Sequence, residues 1–313
     1  MFGVIADVQF VDADDATDFT GKQHRRYRNS LQVLRKGVER WSAGGGVDFV
    51  VQLGDLVDGK AKANGTALAD CETVVEELEK CKSKSLINII GNHDLYNFTR
   101  PELDARLHTQ RDGKTWYSFK PVQDSPLLVT VLDSYDMSTI EGSTEERTTQ
   151  AKTFLQKHNH NDINTVGVDW SAGLVGQERR FQPYGGMVSD EQLAWFRNTL
   201  VTAAREGETA VIFLHTPICP GAANNLCLLW NYQDVLDIIN ETGCVIAVFA
   251  GHDHEGGYLV QHGVHHFTLP SPLLCLGEEL AFATVKVLED RLVVEGEGDK
   301  IPQHVEIPFF RNC

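Results

Sequence analysis

Val47-Asp48-Phe49-Val50-Val51-Gln52-Leu53-Gly54-Asp55-Leu56-Val57-Asp58-Gly59 is the stretch whose reading decides the fold. Val47 to Leu53 has the length and β-branched content of a buried strand. Gly54 allows a sharp turn where that strand stops, and Gly59 closes it. A buried strand ending in Gly-Asp delivers a carboxylate to the C-terminal edge of a sheet, where open α/β folds bind their ligands. Gly and Asp also dominate ordinary turns, so the hexapeptide gains meaning only from the rest of the chain.

Outward from it the same event recurs. Val4-Ile5-Ala6 is a short strand ending at Asp7-Val8-Gln9, and Leu86 to Ile90 runs into Gly91-Asn92-His93-Asp94. Thr209 to Leu214 ends at His215, and Cys244 to Ala250 ends at Gly251-His252-Asp253-His254. Five apolar strands thus end in a metal-ligand type: Asp7, Asp55, Asn92, His215 and His252. Helices are expected between them. Arg25 to Ala43 carries Leu31, Leu34, Val38 and Trp41 at helical spacing, and Leu68, Cys71, Val75 and Leu78 repeat the pattern. Strand-helix alternation implies a parallel α/β sheet with all five ends on one rim. Carboxylate, amide oxygen and imidazole without cysteine suit divalent ions of hard to borderline character. Two such ions about 4 Å apart, bridged by one carboxylate, would be placed for attack on phosphorus, and Asp55 is the natural bridge.

Leu127 to Leu132 is a further strand, ending at Asp133-Ser134. From there to about Met187 the chain is polar and without sustained period, which reads as a lid or as loop padding. Ser189 with Gln192 three residues on is a capping box, opening a helix that buries Leu193, Phe196, Leu200 and Ala203. After Gly257 the short apolar pieces read as antiparallel hairpins.

Composition bounds the function. The 313 residues carry 28 Lys and Arg against 44 Asp and Glu, a formal charge of -16 that argues against a nucleic-acid or anionic-membrane footprint. A phosphate substrate stays open, because bound metal reverses the local field. No apolar run approaches the ~18 residues of a membrane span. The first carboxylate, Asp7, comes too early for a signal-peptide core, although the abrupt start is compatible with a missing upstream segment. Seven scattered cysteines without a CxxC pair read as reduced thiols of a cytosolic protein.

Together, Asp7-x-Gln9, Gly54-Asp55-x-x-Asp58-Gly59, Gly91-Asn92-His93-Asp94, Phe213-Leu214-His215-x-Pro217 and Gly251-His252-x-His254 resemble the calcineurin-like metallophosphoesterases, in the family's order. The resemblance implies an α/β fold of the αββα type, two sheets packed face to face and flanked by helices, with the metal site at strand C-terminal ends. It implies one domain over residues 1–313, with the polar stretch at about 133–187 as an insertion. One divalent ion would take Asp7, Gln9, Asp55 and His254; the other would take Asp55, Asn92, His215 and His252. His93 would be the catalytic imidazole, oriented by Asp94, and the attacking group a hydroxide bridging the ions. Position 9 commonly holds histidine in the family; Gln9 offers a carbonyl oxygen instead, which favours Mn²⁺, or Mg²⁺, over nitrogen-seeking ions.

Ile5 to Phe10, His24 to Ser30, Trp230-Asn231-Tyr232 and Gly251 to Tyr258 are similar, within that family, to the manganese-dependent ADP-ribose/CDP-alcohol diphosphatases. This narrower resemblance runs nearly end to end. It implies cleavage of a pyrophosphate bond, ADP-ribose to AMP and ribose 5-phosphate, or CDP-choline or CDP-glycerol to CMP and the phospho-alcohol. Phe19, Arg25, Cys227 and Tyr232 are the candidate substrate contacts, with Arg25, Arg26 and Arg28 placed on the first helix as positive charge for a diphosphate. The expected partners are nucleoside diphosphate-linked small molecules, and a cytoplasmic monomer is expected. Ser/Thr protein phosphatases of the superfamily are disfavoured, because the neighbourhoods Asp58-Gly59-Lys60 and Ile89-Ile90-Gly91 lack the arginines those enzymes carry after Gly-Asp-x-x-Asp and before Gly-Asn-His. A cyclic-nucleotide phosphodiesterase is the alternative, and a scaffold without catalysis the remaining one.

Overall fold

In the computed structural model, which describes residues 1–18, 21–121, 125–165 and 167–309, the elements run as follows. β1 (Phe2–Ile5) precedes a small ribbon of β2 (Ala16–Thr17) and β3 (His24–Arg25), then α1 (Tyr27–Ser42) and β4 (Val47–Gln52). α2 (Lys60–Asn64) and α3 (Ala67–Glu79) lead to β5 (Ser83–Asn88), α4 (Asn92–Asn97) and α5 (Arg100–Leu107). β6 (Tyr117–Phe119) and β7 (Leu127–Val131) follow, then β8 (Met137–Ser138), α6 (Glu145–His158) and β9 (Gly186–Met187). The chain continues through α7 (Asp190–Arg205), β10 (Thr209–Phe213), α8 (Tyr232–Thr242) and β11 (Val245–Ala250). It closes with β12 (Gly257–Gln261), β13 (Val264–Thr268), β14 (Phe282–Val287), β15 (Arg291–Glu297) and β16 (Val305–Pro308).

Two six-stranded sheets result, ordered β16-β15-β14-β1-β4-β5 and β12-β13-β11-β10-β7-β6. β1, β4 and β5 are parallel, as are β7, β10, β11 and β13. The five strand ends therefore lie on the rims of two sheets, three on one and two on the other, and not on a single sheet. The expected αββα layering holds. Phe2, Val51, Phe213 and Phe249 fill the space between the sheets, where Phe2 stacks on Phe49 at 4.8 Å and meets Phe213 edge-on at 5.7 Å. α1 and α3 cover the outer face of one sheet through Leu34, Val38, Trp41, Cys71 and Leu78; α7 and α8 cover the other through Phe196, Leu200, Val235 and Ile239.

Local departures have local causes. α1 begins at Tyr27, because Arg25 is held in the ribbon against Ala16 and Arg26 donates through Nη1 to Leu274 O at 2.9 Å. In α3 the buried stripe runs through Cys71, Val74 and Leu78, while Leu68 is exposed. Within 133–187 the expectation of no regular structure fails, since α6 spans 14 residues there. Only Ala151 and Leu155 of α6 are buried, so hydrophobic period was a poor guide. Its signals are polar: Thr144 caps Arg147 N, Glu145 and Glu146 open the helix, and Lys157 and His158 close it. Ser189 does accept Gln192 N–H, but the Gln192 side chain does not return to the cap. Its Nε2 donates to Asp133 O at 3.1 Å and its Oε1 accepts from Asp133 N at 2.9 Å, tying α7 to the start of the segment. Among the described residues no helix is long and apolar enough to cross a membrane.

Candidate metal centre

Asp7, Asp55 and Asn92 follow β1, β4 and β5; His215 follows β10, and His252 and His254 follow β11. The turns that present them are unusual. Asp7, Gln9, Asp55 and His252 have φ of 52°, 43°, 61° and 67°, a left-handed region that non-glycine residues enter only where surrounding structure holds them. The holding bonds are visible. Asp7 N donates to Gly54 O at 3.0 Å, Gln9 N to Asp55 O at 2.9 Å, and His252 N to Asp7 Oδ2 at 2.8 Å. Gly91 is required by close approach, because a Cβ there would stand 2.6 Å from Asp55 N and overlap the Asp55 carboxylate.

The donor atoms form two groups, Asp7 with Asp55 and His254, and Asp55 with His215 and His252. Within each group the atoms lie within 4.8 Å of one another, and Asp55 belongs to both. His215 Nδ1 donates to Leu53 O at 2.7 Å, which leaves the Nε2 lone pair facing His252 Nδ1 at 3.2 Å and Asp55 Oδ2 at 3.7 Å. His254 Nε2 stands 3.5 Å from Asp7 Oδ1. Burial, with Asp7 and Asp94 nearby, pushes the Asp55 carboxyl well above its usual range, and burial drives His252 down to about 3. Clustered buried carboxylates with neutral imidazoles are a donor set completed by cations. Asp7 Oδ1 and Gln9 Oε1 are buried without a hydrogen-bond partner, which fits the same reading. Gln9 is present with its amide turned nitrogen-first, Nε2 lying 2.9 Å from both Asp55 Oδ2 and His254 Nε2. The two amide orientations are isosteric, and a cation selects the oxygen.

His93 lies beside this group. Its backbone N–H donates to Asp55 Oδ1 at 2.8 Å, and its Nδ1 accepts from Gly59 N at 2.9 Å. That bond puts the proton of the neutral ring on Nε2, and burial with the Arg25 charge holds the pKa well below the usual value. The expected role of Asp94 is corrected. Asp94 accepts from the backbone N–H groups of Asp55, Leu56 and Gly91 at 2.8, 2.9 and 2.8 Å, which turns its carboxylate toward the Asp55 loop, and it makes no hydrogen bond to the imidazole. Burial lifts its pKa to about 6 against the pull of those three donors. The carboxylate near the His93 ring is Asp58, 3.6 Å from Nδ1, which also pairs with Arg25.

The proposed substrate contacts separate. Arg25 reaches the centre's rim through Asp58, from the ribbon and not from α1. Arg28 pairs with Asp12 and Asp14, and Arg26 donates to the Leu274 carbonyl. Cys227 is half-buried on the Asn225–Cys227 turn, and burial with Asp253 and Asp7 nearby pushes its thiol up. Tyr232 is a correction: it is buried in the outer core, where its hydroxyl donates to Gln177 Oε1 at 2.6 Å and Arg180 covers its ring at 5.2 Å. Phe19 lies outside the described residues. Tyr135 and Tyr184 were not anticipated. The Tyr135 hydroxyl donates to Asn92 Oδ1 at 3.1 Å, and the Tyr184 ring is 5.8 Å from that of His252. The signal for Tyr135 was available, since the strand ending at Asp133-Ser134 delivers it to the same rim.

Residues 1–256 match the calcineurin-like phosphoesterase family, and the chain belongs to that family. Within it, the chain is 38% identical to the manganese-dependent ADP-ribose/CDP-alcohol diphosphatase of Arabidopsis thaliana, over 94% of this chain and 93% of the relative. It is 33% identical to the Homo sapiens protein of the same name, over 97% and 91% of the two chains. A crystal structure of a dimetal phosphatase from Danio rerio superposes with a TM-score of 0.89 at 34% identity, covering 99% of this chain and 98% of that one.

Proposed function

We propose that this chain is a Mn²⁺-dependent hydrolase of the pyrophosphate bond in nucleoside diphosphate-linked compounds. ADP-ribose would yield AMP and ribose 5-phosphate; CDP-choline or CDP-glycerol would yield CMP and the phospho-alcohol. The observation that carries this is the pair of donor groups sharing Asp55, with a neutral His93 against them, together with the substrates named for the relatives. One ion would be held by Asp7, Gln9, Asp55 and His254, and the other by Asp55, Asn92, His215 and His252. When bound, the ions supply Lewis acidity toward the phosphoryl oxygens and acidify the attacking water. His93, with its proton on Nε2, donates a hydrogen bond to the phosphoryl or leaving oxygen. Gly59 fixes the ring tautomer, and Asp58 holds the Arg25 charge beside the ring. Arg25 and the Cys227 turn are the substrate contacts this reading retains.

The test is a panel of ADP-ribose, CDP-choline, cAMP and a generic aryl phosphodiester with Mn²⁺, products resolved by chromatography. Turnover of the two pyrophosphates, each giving a nucleoside monophosphate, is the expected result. Hydrolysis of cAMP alone would replace this reading with the cyclic phosphodiesterase. His93→Ala is expected to lower turnover about 10²- to 10⁴-fold while two Mn²⁺ still bind.

A further inference from the structure

Tyr135 is fully buried, and Asn92, the amide its hydroxyl contacts, is 3% exposed. The Tyr135 ring lies 5.8 Å from the ring of His215, and its hydroxyl is 3.4 Å from Tyr184 O. Tyr184 in turn sits over His252. Two tyrosines from opposite ends of the 133–187 segment thus touch Asn92, His215 and His252. The ends are fastened together, because β8 pairs with β9 through Met137 with Met187 and Ser138 with Gly186. Tyr135 is itself held in place. Its N–H donates to Asp133 Oδ1 at 2.8 Å, its carbonyl accepts from Arg100 Nη2 at 2.5 Å, and Arg100 Nη1 pairs with Asp133 Oδ2 at 2.7 Å.

An amide ligand poses a problem that a carboxylate does not. Its two ends have the same shape, only the oxygen binds a cation, and nothing in the amide itself chooses between them. A hydroxyl can donate or accept, so it makes the choice only by committing its proton to Oδ1, as Tyr135 does at 3.1 Å against 3.4 Å to Tyr184 O, which leaves the second oxygen lone pair free. We infer that Tyr135 is a positioning residue for the second ion: it sets the Asn92 amide oxygen-first, and the 133–187 segment is the frame that holds it. This rests on the two-ion reading of the centre.

The test is Mn²⁺ binding to metal-stripped protein, followed by calorimetry and by the Mn²⁺ electron-spin signal, for wild type, Tyr135→Phe, Asn92→Asp and the double variant. Tyr135→Phe should weaken one of the two ions about tenfold, leave the other unchanged, and recover turnover at saturating Mn²⁺. In the Asn92→Asp background the penalty should vanish, since a carboxylate presents two equivalent oxygens and needs no orienting donor. Equal weakening of both ions, no weakening, or the same penalty in both backgrounds would overturn the assignment. So would unfolding of Tyr135→Phe, which would make the hydroxyl a support of the core. Wild-type protein binding fewer than two Mn²⁺ would remove the two-ion reading itself; two ions in wild type with no change in Tyr135→Phe would remove Tyr135 alone.

Discussion

Asp94 accepts the backbone N–H of Asp55 at 2.8 Å, so one buried carboxylate holds the turn that aims another. Asp55 has φ of 61° at that turn, and the same Asp94 carboxylate also takes Leu56 and Gly91. Asp94→Asn keeps the shape but sets an NH₂ group against N–H donors. The expected loss is about 3 kcal/mol in urea unfolding of the metal-free protein, with weaker Mn²⁺ binding. Asp58→Asn, which touches Arg25 and the His93 ring, should lower turnover while sparing Mn²⁺ affinity. The reverse pattern would return the imidazole to Asp94.

The proposed Mn²⁺ preference rests on Gln9. Replacing its neutral amide with imidazole in Gln9→His should raise activity with Zn²⁺ relative to Mn²⁺ in a metal titration of stripped protein. Equal support by the two metals in the wild type would refute the preference assigned to Gln9. Asp55→Asn should weaken both ions, because both donor groups include it.

Gly91→Ala is the smallest change expected to disable the centre. The added Cβ would stand 2.6 Å from Asp55 N, in a place where neither backbone nor ligand is free to move. Overpacking of this kind costs on the order of 1–3 kcal/mol, and here it acts on a ligand turn. Thermal unfolding and Mn²⁺ calorimetry should show a lower midpoint together with lost binding; normal binding would mean that the turn is softer than its contacts imply.

Acid sensitivity has a source outside the centre. His266, on β13, is 3% exposed with Nδ1 unpartnered, and burial with the His265 charge nearby drives its pKa down to about 4. The folded value is below the unfolded one of about 6.5, so the neutral ring's contribution is present above that pH and lost as pH falls toward the folded pKa. By pH 5 the loss is about 2 kcal/mol. His266→Leu should flatten that part of the profile in unfolding measured without metal from pH 7.5 to 5. An unchanged slope would show that other groups set it.

The strand ends were legible because each is an apolar run stopped by one polar residue of ligand type, and within each sheet parallel pairing puts those ends on one edge. Placing them on two sheets was not legible from strands alone, since no local pattern says which strands pair. The orienting role that the resemblance implies for Asp94 has no local signal to check it, and the helix turn points its carboxylate back at three N–H groups. α6 escaped because its helix signals are caps and charge, with only Ala151 and Leu155 buried. Tyr232 reads in sequence as a substrate contact or as core, and α8 turns it into the core, where Gln177 takes its hydroxyl.

The strand order also sets a timetable for synthesis. One sheet comes from a continuous middle portion, β6 to β13, whereas the other joins β1, β4 and β5 to β14, β15 and β16 from the far end of the chain. A ribosome that has released the chain only to Thr268 has made every expected ligand, yet β1, which carries Asp7 at its tip, still lacks its antiparallel neighbour β14. The nascent chain can complete the middle sheet while the Asp7 edge waits for residues 282–287. The first ligand of the centre is thus made nearly a whole chain length before the second neighbour of the strand that carries it.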